Sequence, residues 1–167
     1  MNSRITHLIE QFIDIQNGKP WIGSSFHSKL SKIEDHWVFI RPIKNLHSIA
    51  EIISHLTFWR DEAILKIKTG RGSKTDDCEE NWLTNDKLKL TPWPNIKSDY
   101  DNSFSELMAL LKDKDDSFLA EEYYDTDFKG NYSYNFLITG MLHHDIYHLG
   151  QLGIIIKFLE EKPTTDY

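Results

Sequence analysis

Residues 140–157 read GMLHHDIYHLGQLGIIIK, and this stretch holds three of the chain's eight histidines. Wound at about 100° per residue with His144 at the origin, it puts Leu137, His148 and Ile155 within roughly 40°, and Met141 and Leu159 within roughly 60°. His144 and His148 therefore sit in the middle of an apolar face and are expected to point at a core. His143 lies about 100° away, at an edge or on the surface. With Gly130 and a capping Ser133 before it and Pro163 beyond, the segment predicts a helix running to about Glu161.

The same period recurs upstream. Ile5, Leu8, Ile9, Phe12 and Ile13 mark a first amphipathic helix that Asn17-Gly18 and Pro20 stop. Ser48-Ile49-Ala50-Glu51 has capping-box spacing and opens a second long helix to about Lys68, ended by Gly70. Its stripe is Ile49, Ile52, Ile53, Leu56, Ala63, Ile64 and Ile67. A third helix is predicted from Asp101 or Ser103 to about Lys114, with Phe104, Leu107, Met108 and Leu111 on one face. Residues 19–47 read as packed loop: Ser25–Ile33 offers a short helix, and His36-Trp37-Val38-Phe39-Ile40 is β-prone but has no partner strand. The polar connection 69–98 carries Trp82 and Trp93, which suits a segment covering a pocket better than a disordered one. Phe118–Tyr124 is left unassigned. Four helices with a long helix 2–helix 3 connection make an all-α fold, most simply a four-helix bundle.

The chain of 167 residues is expected to form a single domain over 1–167. A formal net charge of −7 disfavours phosphate-backbone binding, so nucleic acid is an unexpected partner. No apolar run reaches membrane-span length, and one cysteine, Cys78, allows no internal disulfide and reads as an exposed thiol. A cytoplasmic setting follows as an expectation.

Imidazoles four residues apart stack on adjacent turns, as two ligands of one metal do. The bland alternative is a pair of hydrogen-bonded core histidines, and the helix alone leaves the two readings level. Two polar rings on one buried stripe each need a partner, and protonating both would bring like charges together. The pattern is not the His-Glu-x-x-His of zinc proteases, because Asp145 follows His144. A third ligand must come from another helix. His55 is the best candidate, although it lies about 100° from the centre of its stripe, at an edge. His7, His27, His36 and His47 read as solvated side chains.

The segments HSIAEIISHLTFWRDE (47–62) and GMLHHDIYHLGQLGIIIK (140–157), with the spacing between them, resemble the DinB/YfiT-like superfamily of metal-dependent enzymes. GKPWIGSSFHSKLSKI (18–33) is similar to one branch of it, and the insert Arg71–Lys97 is the least family-like part. The resemblance implies a four-helix bundle whose divalent metal, zinc or nickel, is held by His55, His144 and His148, in a protein that is often a homodimer. Three neutral imidazoles leave an open position, as catalytic rather than structural sites do.

The resemblance thus implies a small-molecule transferase of the thiol S-transferase type, using a low-molecular-weight thiol, or a hydrolase using activated water. A non-catalytic metal- or ligand-binding bundle with a stress-related role is the alternative. Gln151, about 20° from His144, and Tyr147, about 60° away, are candidates to support a ligand or line the pocket. Trp59 is expected to pack against His55, and Asp145 to be solvated or to pair between helices. No residue stands out as a general base. Gly150 and Gly153 cost about 1 kcal/mol each in a helix, which suggests close approach of another helix or subunit.

Overall fold

Ser48 fixes the start of the helix on which the site depends. Its hydroxyl accepts the Glu51 N–H (3.2 Å), and the Glu51 carboxylate accepts the Ser48 N–H (2.8 Å) and is held from its other side by Arg41. The box satisfies two N–H groups that a helix start leaves orphaned. At the far end Gly70 takes a left-handed φ of 71° and donates to the Lys66 carbonyl. Between these caps Ile49, Ile52, Ile53 and Leu56 lose all contact with water. Each such side chain contributes about 1.5–3 kcal/mol before chain entropy is charged against it.

The structure, a computed structural model, describes residues 3–161. The described residues are mostly helical: α1 (Ser3–Asn17), α2 (Phe26–Leu30), α3 (Ile49–Thr69), α4 (Asn85–Leu88), α5 (Trp93–Lys112) and α6 (Tyr134–Glu160), with 3-10 turns at Asp35–Trp37, Glu79–Trp82 and Phe118–Ala120. A two-stranded antiparallel sheet, β1 (Glu122–Asp125) and β2 (Gly130–Ser133), precedes α6. α3 packs on α5 and α6, and α1 packs on the same two helices. Among the described residues no helix is long and apolar enough to cross a membrane.

α1, α3 and α6 lie close to where their stripes and caps put them, and Ser133 caps α6 by accepting the Phe136 N–H. α5 departs from expectation: it starts at Trp93, more than two turns ahead of Asp101, and ends at Lys112. Pro94 sits in its first turn, where a missing N–H costs nothing. Ile96 and Tyr100 then extend the buried stripe. The expected loop over 19–47 holds no strand: His36–Ile40 enters a 3-10 turn, and the carbonyl of buried Val38 accepts the Ala50 N–H. Ile13, placed on the α1 stripe, is partly exposed instead, while Ile15 and Gln16 are buried.

The hairpin is a further departure from an all-α expectation. Asp125 Oδ1 accepts the N–H groups of Asp127 and Phe128, which closes the turn, and Lys129 takes a positive φ. Tyr124 exchanges backbone hydrogen bonds with Gly70 and Gly72, tying the hairpin to the end of α3. Cys78 is half-buried rather than exposed, and its sulfur accepts the Thr75 N–H.

Candidate metal centre

α6 carries His144 and His148 one turn apart, and α3 brings His55 to face them. His55 Nε2 lies 3.0 Å from His144 Nε2, and His148 Nε2 lies 3.1 Å from the same atom. One ligand atom of each residue falls within 4.8 Å of the others, so the three could hold a metal ion. His143 is exposed, as its wheel position indicated. His55 is not at an edge but only 5% exposed. The wheel counts neighbours along α3, whereas the cover comes from the 79–82 turn, whose Trp82 ring stacks on the imidazole at 3.8 Å.

Hydrogen bonds on the outer nitrogens fix two tautomers. The Asn81 carbonyl can only accept, so His55 Nδ1, 2.9 Å away, carries the proton. His148 Nδ1 likewise donates to Gln151 Oε1 at 2.7 Å. Both Nε2 atoms therefore present bare lone pairs to His144 Nε2, and a single proton there can satisfy only one of them. Burial is the main cause lowering all three pKa values, to about 4 for His55 and about 3 for His144, with neighbouring histidines adding to both; the Gln151 bond opposes the shift at His148. At neutral pH the rings are uncharged, and lone pairs crowd one point. A divalent cation fits that arrangement and relieves it.

The histidines open on a cavity of about 660 Å³, walled by Trp59, Trp82, Leu137, Met141 and Phe136 among others. Tyr147 lines it too and is largely exposed, with its ring 5.0 Å from that of His148. Trp59 meets His55 edge-on at 6.5 Å and donates from Nε1 to Asn81 Oδ1 at 2.9 Å, steadying the turn that holds His55. The 69–98 connection does form part of the cavity wall, through Asp76, Asn81 and Trp82. Farther along, Lys66 pairs with Asp125 at 2.8 Å, and Tyr123 donates to the same carboxylate.

Asp145 is wholly buried and pairs across helices with Arg60 at 2.8 Å, so of its two expected settings the solvated one is wrong. Burial pushes its carboxyl above the ordinary value while Arg60 opposes that shift. His47 is not a free solvated side chain, since it stacks on the other side of the Trp82 site at 3.8 Å and approaches Glu51. His7, His27 and His36 are exposed. Gly150 has open space where a Cβ would sit, so nothing among the described residues approaches it, and Gly153 faces the flexible end of Lys29.

The chain belongs to the DinB superfamily, whose family model matches residues 24–152. No curated protein and no solved structure matches it. Sequence reasoning did not find Asn81, Lys66, Tyr123 or Asp125. A tryptophan embedded in a polar insert was the one signal for the 79–82 turn, while Lys66 and Asp125 come together only through the hairpin.

Proposed function

We propose that this member of the DinB superfamily is a divalent-metal-dependent enzyme acting on a small molecule, as a transferase of the thiol S-transferase type or as a hydrolase. The observation that carries the reading is the convergence of three uncharged imidazole nitrogens on the wall of a cavity large enough for a small substrate. Held by His55, His144 and His148, a divalent ion, zinc or nickel, would lower the pKa of a thiol or water in the cavity and make it nucleophilic at neutral pH.

The chain's own residues do the rest. The Asn81 carbonyl and Gln151 keep Nδ1 of His55 and His148 protonated, so Nε2 stays available. Trp82 holds the His55 ring in plane and shuts one side of the site. Leu137, Met141 and Phe136 offer walls to the apolar part of a substrate and exclude water. Tyr147, on the cavity wall and largely exposed, offers a hydroxyl for a hydrogen bond to substrate.

The four long helices are read as the family's four-helix bundle, forming one domain. A homodimer in the cytoplasm is the expected setting, with the open flank of Gly150 available to a second subunit. Lys66 and Asp125 satisfy each other inside the cavity, which also suits a protein that binds a ligand without turning it over. The test is metal analysis of the purified protein followed by turnover with a panel of thiols and an electrophilic acceptor. No divalent metal after reconstitution, or unchanged metal content in His148→Ala, sinks the enzyme reading; bound metal without turnover favours the binding protein.

A further inference from the structure

Two of the three imidazoles have an acceptor on the outer nitrogen, and the third does not. His144 Nδ1 is buried with no hydrogen-bond partner among the described residues, and Asp145 Oδ1 is buried and equally unpaired. The two atoms lie 3.9 Å apart. A shift of about 1 Å in either side chain brings them to hydrogen-bond distance.

Asp145 is held for that purpose from behind. Its other oxygen, Oδ2, accepts from Arg60 Nη2 at 2.8 Å. The Arg60 guanidinium lies 4.3 Å over the Tyr100 ring and also donates to Gln16 Oε1, while the Tyr100 hydroxyl donates to the same oxygen at 2.8 Å. Residues of α1 and α5 thus hold the α3 arginine that grips one carboxylate oxygen, and the other oxygen is left beside His144. Arg60 stays protonated at any relevant pH, so the carboxylate has a fixed counter-charge.

We infer that Asp145 is a positioning residue that accepts the Nδ1–H of His144 and so sets the tautomer presenting Nε2 to the metal, with Arg60 holding Asp145 in place. The inference rests on reading His55, His144 and His148 as metal ligands. It completes a pattern in which all three rings carry an outer acceptor: a main-chain carbonyl, an amide oxygen and a carboxylate. The carboxylate is the strongest of the three and makes its imidazole the most basic donor.

Zinc alone is the probe. In zinc-loaded protein labelled with ¹⁵N-histidine, the His144 Nδ1–H is expected as a proton resonance protected from solvent exchange, with Nε2 on the metal. Asp145→Asn is expected to shift that resonance and to weaken zinc binding, by chelator competition, about 10–100-fold at unchanged stoichiometry. A merely structural Asp145 would lower thermal stability in the variant without moving the resonance or the affinity. Should the variant not fold, the wild-type spectrum decides alone: zinc bound through His144 Nδ1, or an Nδ1–H exchanging as fast as that of exposed His143, overturns the inference and leaves the metal reading intact. A wild-type protein that takes up no zinc overturns both.

Discussion

His55 Nε2 and His144 Nε2 meet 3.0 Å apart across α3 and α6, although 89 residues separate them in the chain. Both helices also bury apolar side chains beside that contact, Ile52 and Leu56 on α3 and Met141 and Leu152 on α6. Replacing either His55 or His148 by alanine should therefore lower zinc affinity by about 100-fold or more while leaving the helical circular dichroism intact. Competition with a chromogenic chelator gives the affinity.

Metal bound only by the folded state stabilises it by mass action, by about 4 kcal/mol at a thousand times Kd. The melting temperature of the wild type should rise with added zinc and fall with a chelator. The His148→Ala protein should respond to neither; a zinc-dependent rise in that variant would place the ion elsewhere.

Glu51 is buried, and although burial alone would raise its pKa, the Arg41 guanidinium and the Ser48 N–H hold it below the ordinary value. A depressed carboxylate stabilises the fold above its unfolded pKa, and that contribution is lost as pH falls through the folded one. Wild-type stability should thus decline below the normal carboxylate range. Glu51→Gln should flatten that decline and cost about 1–2 kcal/mol at pH 7, a modest figure because Arg41 is partly exposed. Urea titrations across pH test both halves.

Gly70 ends α3 with φ 71° and, among the described residues, nothing near the missing Cβ, so any penalty on substitution is conformational rather than steric. Gly70→Ala should destabilise by about 1 kcal/mol, and Gly70→Asn by less, because asparagine tolerates the left-handed region. Equal losses in the two variants would rule out this account.

Asn81→Ala removes the acceptor of Trp59 Nε1 and the donor to the Asp76 carbonyl. It should cost about 1–2 kcal/mol and speed amide exchange in residues 76–82. Zinc should still bind, a few-fold more weakly, because the main-chain carbonyl on His55 survives. Exchange unchanged from wild type would mean the turn is held by other contacts.

What the sequence discloses is what is local. The caps at Ser48 and Ser133 and the stripes of α3 and α6 are short-range patterns, so those helices, and the core-facing His144 and His148, were legible. The start of α5 was not, because Pro94 punctuates in either direction and only the buried Ile96 and Tyr100 reveal which. Four-residue strands around an Asp125-centred turn leave no two-residue hairpin signature. The burial of His55 depends on Trp82, and that of Asp145 on Arg60, 85 residues away; a helical wheel gives a direction but not what waits there. Family resemblance supplied His55 where periodicity put it at an edge.

The outer partner of His55 is the carbonyl of Asn81, a group every amino acid carries. No single-nucleotide change at codon 81 can delete it; only insertion, deletion or a bend in the 79–82 turn can. These two imidazoles therefore differ in what can retune them: His148 answers to the side chain at Gln151, whereas His55 answers to the backbone path of the 79–82 turn.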